Sequence, residues 1–118
     1  MDVSREIRRS FNLFAAGQLD EAAELAGAVL AVSPEEPSAH RVLAGVFLRR
    51  GELDQALDSA RRAWKIDPSV PEAAANLAAI LVEARQGEEA ERMARQATEM
   101  APDFVSAWVN LGLAYRCQ

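Results

Sequence analysis

Residues 22–34 read AAELAGAVLAVSP, residues 56–68 read ALDSARRAWKIDP, and residues 90–102 read AERMARQATEMAP. Each stretch opens on an alanine, places a second alanine four residues later and closes on a proline. The step from one stretch to the next is 34 residues, with no insertion. Two further columns keep the same step: Ala39, Ala73 and Ala107, and Leu43, Leu77 and Leu111. Five columns on one period make the chain an internal repeat. The repeat has to be read before any local structure, because each unit buries its apolar face only against its neighbours.

The columns have simple physical roles. Alanines one helical turn apart, at Ala22/Ala26, Ala56/Ala60 and Ala90/Ala94, let two helices approach closely, and Leu13, Phe47, Leu81 and Tyr115 fill the space opposite. Gly17 and Gly51 stand where a first helix stops, since glycine takes the left-handed cap conformation cheaply. Leu19-Asp20 and Leu53-Asp54 then start a second helix with an acidic first turn. Pro34, Pro68 and Pro102 end it, and Pro37 and Pro71 suit the first turn of the next. The pattern predicts seven helices, over about 3–16, 19–32, 37–50, 53–66, 71–84, 87–100 and 105–117. Composition agrees: 24 alanines face nine valines, three isoleucines and the single threonine Thr98, which favours helix over sheet. The third repeat departs from the others. Arg85 occupies the column of Gly17 and Gly51, and Gly87 falls two residues late, which predicts a longer helix or a reshaped turn.

The residues in these columns resemble the tetratricopeptide repeat, whose period is 34. Its pattern is W-x2-L-G-x2-Y in a first helix, A-x3-F-x2-A in a second, then a proline. Trp108, Leu111, Gly112 and Tyr115 match the first half completely. The middle repeat supplies Leu43, Ala44, Phe47, Gly51, Ala56, Ala60, Ala63 and Pro68, and the third Leu77, Ala78, Leu81, Ala90, Ala94, Ala97 and Pro102. The resemblance implies an all-α fold, a right-handed α-solenoid of antiparallel helix pairs. It implies a single array over 1–118, with repeats at about 3–36, 37–70 and 71–104 and a half repeat at 105–118.

The ends carry their own expectations. The first repeat has Glu6, Arg9 and Ser10 in the columns of Trp108, Leu111 and Gly112, which reads as a polar cap. Ile7, Phe11 and Phe14 form an apolar stripe that packs on the second repeat or lines a groove, with self-association as the alternative. At the other end Trp108, Leu111 and Tyr115 form a face that asks for a cover. A longer parent protein is favoured over pairing with another copy, which would make a homo-oligomer.

Several function classes are disfavoured. The formal net charge of -5 and the lone lysine, Lys65, give no basic stripe for nucleic acid. Met1 to Arg9 lacks the apolar core of a signal peptide, and the apolar run 73–82, broken by Asn76, falls short of the ~20 residues of a membrane span. The single cysteine, Cys117, implies no oxidising compartment, so the expected location is cytoplasmic. With one histidine, His40, no triad or multi-histidine metal site can be assembled, and no glycine-rich phosphate loop is present. The reading is a chain that is not an enzyme and needs no cofactor or metal. Glu35/Glu36 and Glu88/Glu89/Glu91 read as solvated surface and helix N-terminal charge.

Function is therefore expected in the groove that first helices line in tetratricopeptide arrays. Its residues are Ile7, Phe11, Arg41, Val42, Leu48, Arg49, Asn76, Val82, Asn110 and Leu113, with Gly45, Ala75 and Ala79 leaving a trough. Such a surface suits another protein's extended peptide or amphipathic helix. Cochaperones of the family hold chaperone tails with a lysine, asparagine and arginine clamp. The matching positions here are Ile7, Phe11, Val42, Glu72 and Asn76, of which only Asn76 fits. Asn76 and Asn110 are similar to two rungs of the asparagine ladder of protein O-linked N-acetylglucosamine transferases, while Arg8 and Val42 break it. The expected role is an interaction scaffold. The alternatives are a regulatory or substrate-docking region of a larger glycosyltransferase- or sulfotransferase-like enzyme, and a self-assembling module.

Overall fold

The computed structural model describes the whole chain, Met1–Gln118, as seven helices and no strand. They are α1 (Val3–Ala15), α2 (Leu19–Val32), α3 (Pro37–Arg49), α4 (Leu53–Ile66), α5 (Pro71–Glu83), α6 (Gly87–Met100) and α7 (Val105–Arg116). Every expected range agrees to within one residue, and the expected all-α class of stacked helix pairs is what the chain forms. Two compact units result, Met1–Ile66 and Asp67–Gln118. In the first, α1 packs on α2, α3 on α4, and α3 also on α1 and α2; in the second, α6 packs on α5 and α7, and α5 on α7.

Links within a pair and between pairs use different chemistry. After α1 the chain turns on Gly17, at φ +81°, with Gln18 N–H donating to Leu13 C=O at 2.9 Å and Gly17 N–H to Phe14 C=O at 3.0 Å. After α3 the same pair of bonds forms around Gly51, at φ +77°. These two hydrogen bonds to the last turn satisfy carbonyls that the helix itself leaves open. After α5 the turn is again the same, although Arg85 stands at its centre: φ is +63°, Gln86 N–H reaches Leu81 C=O at 2.9 Å and Arg85 N–H reaches Val82 C=O at 3.0 Å. The predicted lengthening or reshaping does not occur. α5 keeps the 13 residues of α1 and α3, and Arg85 is forced into a left-handed backbone that costs a side-chain-bearing residue about 1 kcal/mol.

The displaced glycine has a separate use. Gly87 opens α6, and a Cβ there would lie 3.0 Å from the Cys117 Cβ and 3.1 Å from the Ala114 carbonyl oxygen. Its bare backbone lets the end of α7 close onto the start of α6. Between pairs, the proline-bearing links end in Pro37 and Pro71 at the first position of α3 and α5.

The core follows the columns. Ala22, Ala26, Ala56, Ala60, Ala90 and Ala94 are all buried, and so are Leu77, Ile80 and Leu81. In the first unit Val29, Val42 and Val46 join the alanines, and Ile7, Phe11, Leu13 and Phe14 pack against them. Ser10, expected as part of a polar cap, is instead buried, with its hydroxyl donating to the Ala22 carbonyl at 2.9 Å. A satisfied hydroxyl of this kind contributes about 1 kcal/mol and ties α1 to α2. Glu6 and Arg9 form an ion pair at 2.6 Å, with Arg9 exposed and Glu6 partly buried.

Candidate functional site

In the first unit the candidate residues gather where α1 runs beside α3. The Arg41 guanidinium lies 5.4 Å from the centre of the Phe11 ring, and that of Arg49 lies 4.2 Å from the centre of Phe14. Arg49 also donates through Nη1 to the Phe14 carbonyl at 3.3 Å. Each stack is worth ~0.5–1 kcal/mol at an exposed site and holds a cation over an apolar ring. Gly45 sits beneath Phe14: a Cβ there would come within 2.7 Å of Phe14 Cζ. The trough expected at Gly45 is therefore filled by that ring. Ile7, Phe11 and Phe14 are half-buried, each with one side against the α2–α3 core. Leu48 is half-buried near the end of α3.

Val42 departs from expectation. It is 1% exposed and belongs to the core cluster with Ala39 and Val46, so it cannot touch a ligand. It faces inward because α3 packs on α1, α2 and α4 at once, which leaves this helix little free surface.

In the second unit Asn110 reaches across from α7 and donates through Nδ2 to the Ala75 carbonyl at 3.0 Å. One rung of the expected asparagine ladder is thus engaged with α5 backbone, while Asn76 is exposed. Ala75 is buried and Ala79 half-buried. Val82 and Leu113 come together, with Glu83, Arg85, Arg116 and Cys117, around an open depression of about 380 Å³. The Cys117 thiol points at the Val82 carbonyl, 3.7 Å away.

The α7 face is partly served by the chain itself. Trp108 is 52% exposed, but its indole N–H donates to the Pro102 carbonyl at 2.8 Å. His40, in the same column two repeats earlier, makes the matching contact from Nε2 to the Pro34 carbonyl at 3.0 Å and is buried. Tyr115 is 47% exposed; its hydroxyl accepts from Arg95, whose guanidinium lies 5.6 Å from the ring centre. Leu111 departs from expectation: it is 8% exposed, because α7 turns Leu111 and Ala114 inward as it packs on α5 and α6. The exposed apolar surface of α7 is instead Val105, Trp108, Val109 and Leu113 with Tyr115.

Two sequence models of the tetratricopeptide repeat match the chain, over residues 12–71 and 47–114. The chain belongs to the tetratricopeptide repeat family. No curated protein matches it. Solved structures share the fold. A mutant O-GlcNAc transferase of Thermobaculum terrenum superposes with a TM-score of 0.90 at 23% identity, over 95% of this chain and 22% of that one. Pseudomonas aeruginosa pilF gives 0.88 at 24% identity, over 97% and 52%. The first TPR of Spaghetti (RPAP3), bound to the HSP90 peptide SRMEEVD, gives 0.87 at 18% identity, over 97% and 90%. The tetratricopeptide chain thus spans under a quarter of the transferase and about half of pilF.

Within this tetratricopeptide fold, electrostatics concentrate at α6–α7. Glu91 accepts from Gln118 Nε2 at 2.8 Å and from Arg95 Nε at 2.9 Å. These bonds, Gln118 first, hold its carboxyl below the ordinary carboxylate value; Glu91 in turn raises Arg95. No group of three or more histidine, cysteine or acidic side chains is placed to hold a metal ion, and no helix is long and apolar enough to cross a membrane. Of the residues around the depression, Arg85 and Cys117 lie outside the groove expected from the sequence. The signal that finds them is a comparison of columns two repeats apart, where Phe14 becomes Val82 and Arg49 becomes Cys117.

Proposed function

We propose that this chain is a protein–protein interaction scaffold whose first-helix faces bind an extended peptide or amphipathic helix of a partner, acting by binding rather than by catalysis. One observation carries the reading. The first helices leave both apolar and hydrogen-bonding side chains accessible: half-buried Leu48 and the Phe11–Arg41 and Phe14–Arg49 stacks in one unit, and exposed Asn76 with Val82 and Leu113, which line one depression, in the other. Apolar side chains grip a segment's side chains, and an asparagine amide can serve a backbone N–H and C=O together. A family neighbour that holds a peptide supports this. Nucleic acid is a poor partner for a chain of net charge -5, and the lone thiol suits the cytoplasm.

The test is peptide selection by phage display on the full chain, followed by calorimetry. Selected peptides are expected to bind Leu48→Glu/Asn76→Ala at least tenfold more weakly than the parent. Equal affinity for both, with the variant's circular dichroism unchanged, overturns the reading.

Exposure of Trp108, Val109 and Tyr115 favours self-association through α7 as a second reading. Light scattering tests it: a concentration-dependent dimer that Trp108→Glu abolishes supports it, and a monomer at millimolar concentration sinks it.

A further inference from the structure

The depression between the ends of α5 and α7 has an internal counterpart two repeats earlier. Val82, Glu83, Arg85, Leu113, Arg116 and Cys117 occupy the columns of Phe14, Ala15, Gly17, Gly45, Leu48 and Arg49. In the first unit that place is closed by the chain: the Phe14 ring covers Gly45 and the Arg49 guanidinium lies on the ring. In the second unit valine replaces the phenylalanine, cysteine the arginine and leucine the glycine, and a depression of about 380 Å³ stays open beside them. That is within the ~300–1,000 Å³ of small-ligand pockets.

The rim has changed as well. The column that elsewhere holds glycine carries Arg85 at φ +63°, a left-handed backbone unfavourable to a side chain. The Leu48 column carries Arg116. A side chain held in an unfavourable backbone where the other repeats use glycine is a candidate functional position. Both arginines are exposed, and against them the rim holds one carboxylate, Glu83. The local balance is positive on a chain of net charge -5.

We propose that this depression is a pocket for a bulky apolar side chain, aromatic by preference, flanked in the partner's segment by carboxylates that Arg85 and Arg116 hold. The partner's side chain enters the open depression beside Val82 and Leu113. Val82 and Leu113 supply the apolar lining, and the two guanidinium groups select acidic neighbours. This inference rests on the peptide-binding reading above and names the chemistry of the segment that one face accepts.

The probe is the capped tripeptide acetyl-Asp-Phe-Asp-amide, titrated into the isotope-labelled full chain and followed by NMR. Saturable shifts are expected at the Val82 and Leu113 methyl groups. Acetyl-Asp-Ala-Asp-amide and acetyl-Lys-Phe-Lys-amide should each bind at least fivefold more weakly. Val82→Phe should close the pocket and weaken the first probe at least tenfold. Arg85→Gly restores the residue that the other repeats use and so keeps the fold; it should weaken binding about fivefold. Absence of saturable shifts at Val82 and Leu113 overturns the proposal, as does affinity within twofold of the parent in Val82→Phe and Arg85→Gly. Display-selected peptides that need Leu48 and Asn76 but tolerate Val82→Phe and Arg85→Gly sink this pocket alone. Selected peptides indifferent to all four positions sink the wider reading too.

Discussion

Where α1 meets α3 the first unit spends its large side chains on itself, and where α5 meets α7 the second does not. Phe14 covers Gly45, Arg49 stacks on Phe14 and ties to its carbonyl, and Arg41 stacks on Phe11. In the second unit Val82 and Cys117 are smaller than Phe14 and Arg49, Leu113 stands in the glycine column, and the helices are joined by Asn110 on the Ala75 carbonyl. The buried layers reverse this contrast. Leu81, Ile80 and Leu77 are fully inside the second unit, whereas Leu13, in the Leu81 column, is only half-buried. One repeat pattern thus serves two ends: the columns that hold helix pairs together stay nearly constant, and the columns between first helices vary freely. Variation there changes the surface without changing the fold.

The largest effect should come from the constant layer. Leu81→Ala is expected to lose about 2–5 kcal/mol, because the cavity in a fully buried alanine-rich layer has no side chain able to collapse into it. Leu13→Ala, at the half-buried matching position, should lose about 1–2 kcal/mol. Urea unfolding of both variants checks the ranking. Equal losses would erase the difference between the two layers.

Next comes the plug. Phe14→Val gives the first unit the residue of the second and should cost about 1–3 kcal/mol, from lost ring burial and the lost Arg49 stack. Val82→Phe is expected to be tolerated, since the space is already there. Thermal unfolding distinguishes them, and a destabilising Val82→Phe would contradict the account of the open place.

The fold was legible in the sequence because it is written in spacing. Alanine, leucine and proline columns give helix positions without any knowledge of contacts. The candidate site was less legible. Val42 and Leu111 were placed on surfaces because a helical wheel assigns faces relative to one neighbour, whereas α3 and α7 each pack on more than one helix. The trough at Gly45 was misjudged for a related reason: a glycine leaves space only if nothing from the next helix enters it, and Phe14 does. The cap at Arg85 shows the opposite lesson. The turn kept its hydrogen bonds despite an unfavourable residue, because two bonds to the last turn and the packing of α5 on α6 outweigh about 1 kcal/mol of backbone strain.

Arg85→Gly should stabilise the chain by about 1 kcal/mol, and Gly51→Arg, which copies the third turn onto the second, should destabilise it by a similar amount. Differential scanning calorimetry reads both, with shifts of a few degrees in opposite directions. Two shifts of the same sign would show that the turns differ in more than the central residue.

The smallest effect concerns charge at α6–α7, where the second unit has a bonded cluster that the first lacks. Gln118 and Arg95 hold the Glu91 carboxyl below its ordinary value, so the folded chain binds its proton less readily than the unfolded chain. A depressed folded value means that the stabilisation is complete above the unfolded carboxylate value and is lost as pH falls through the folded one. The cluster lies at the surface, with Glu91 partly and Arg95 largely exposed, so its effect on stability is small and salt-sensitive. Gln118→Ala removes the largest contributor and should raise the Glu91 titration midpoint toward the ordinary value, with Arg95→Met raising it less. An NMR titration of the Glu91 side-chain carboxyl carbon measures both shifts. If Arg95→Met moved the midpoint more than Gln118→Ala, the ion pair rather than the amide bond would be the main hold on Glu91.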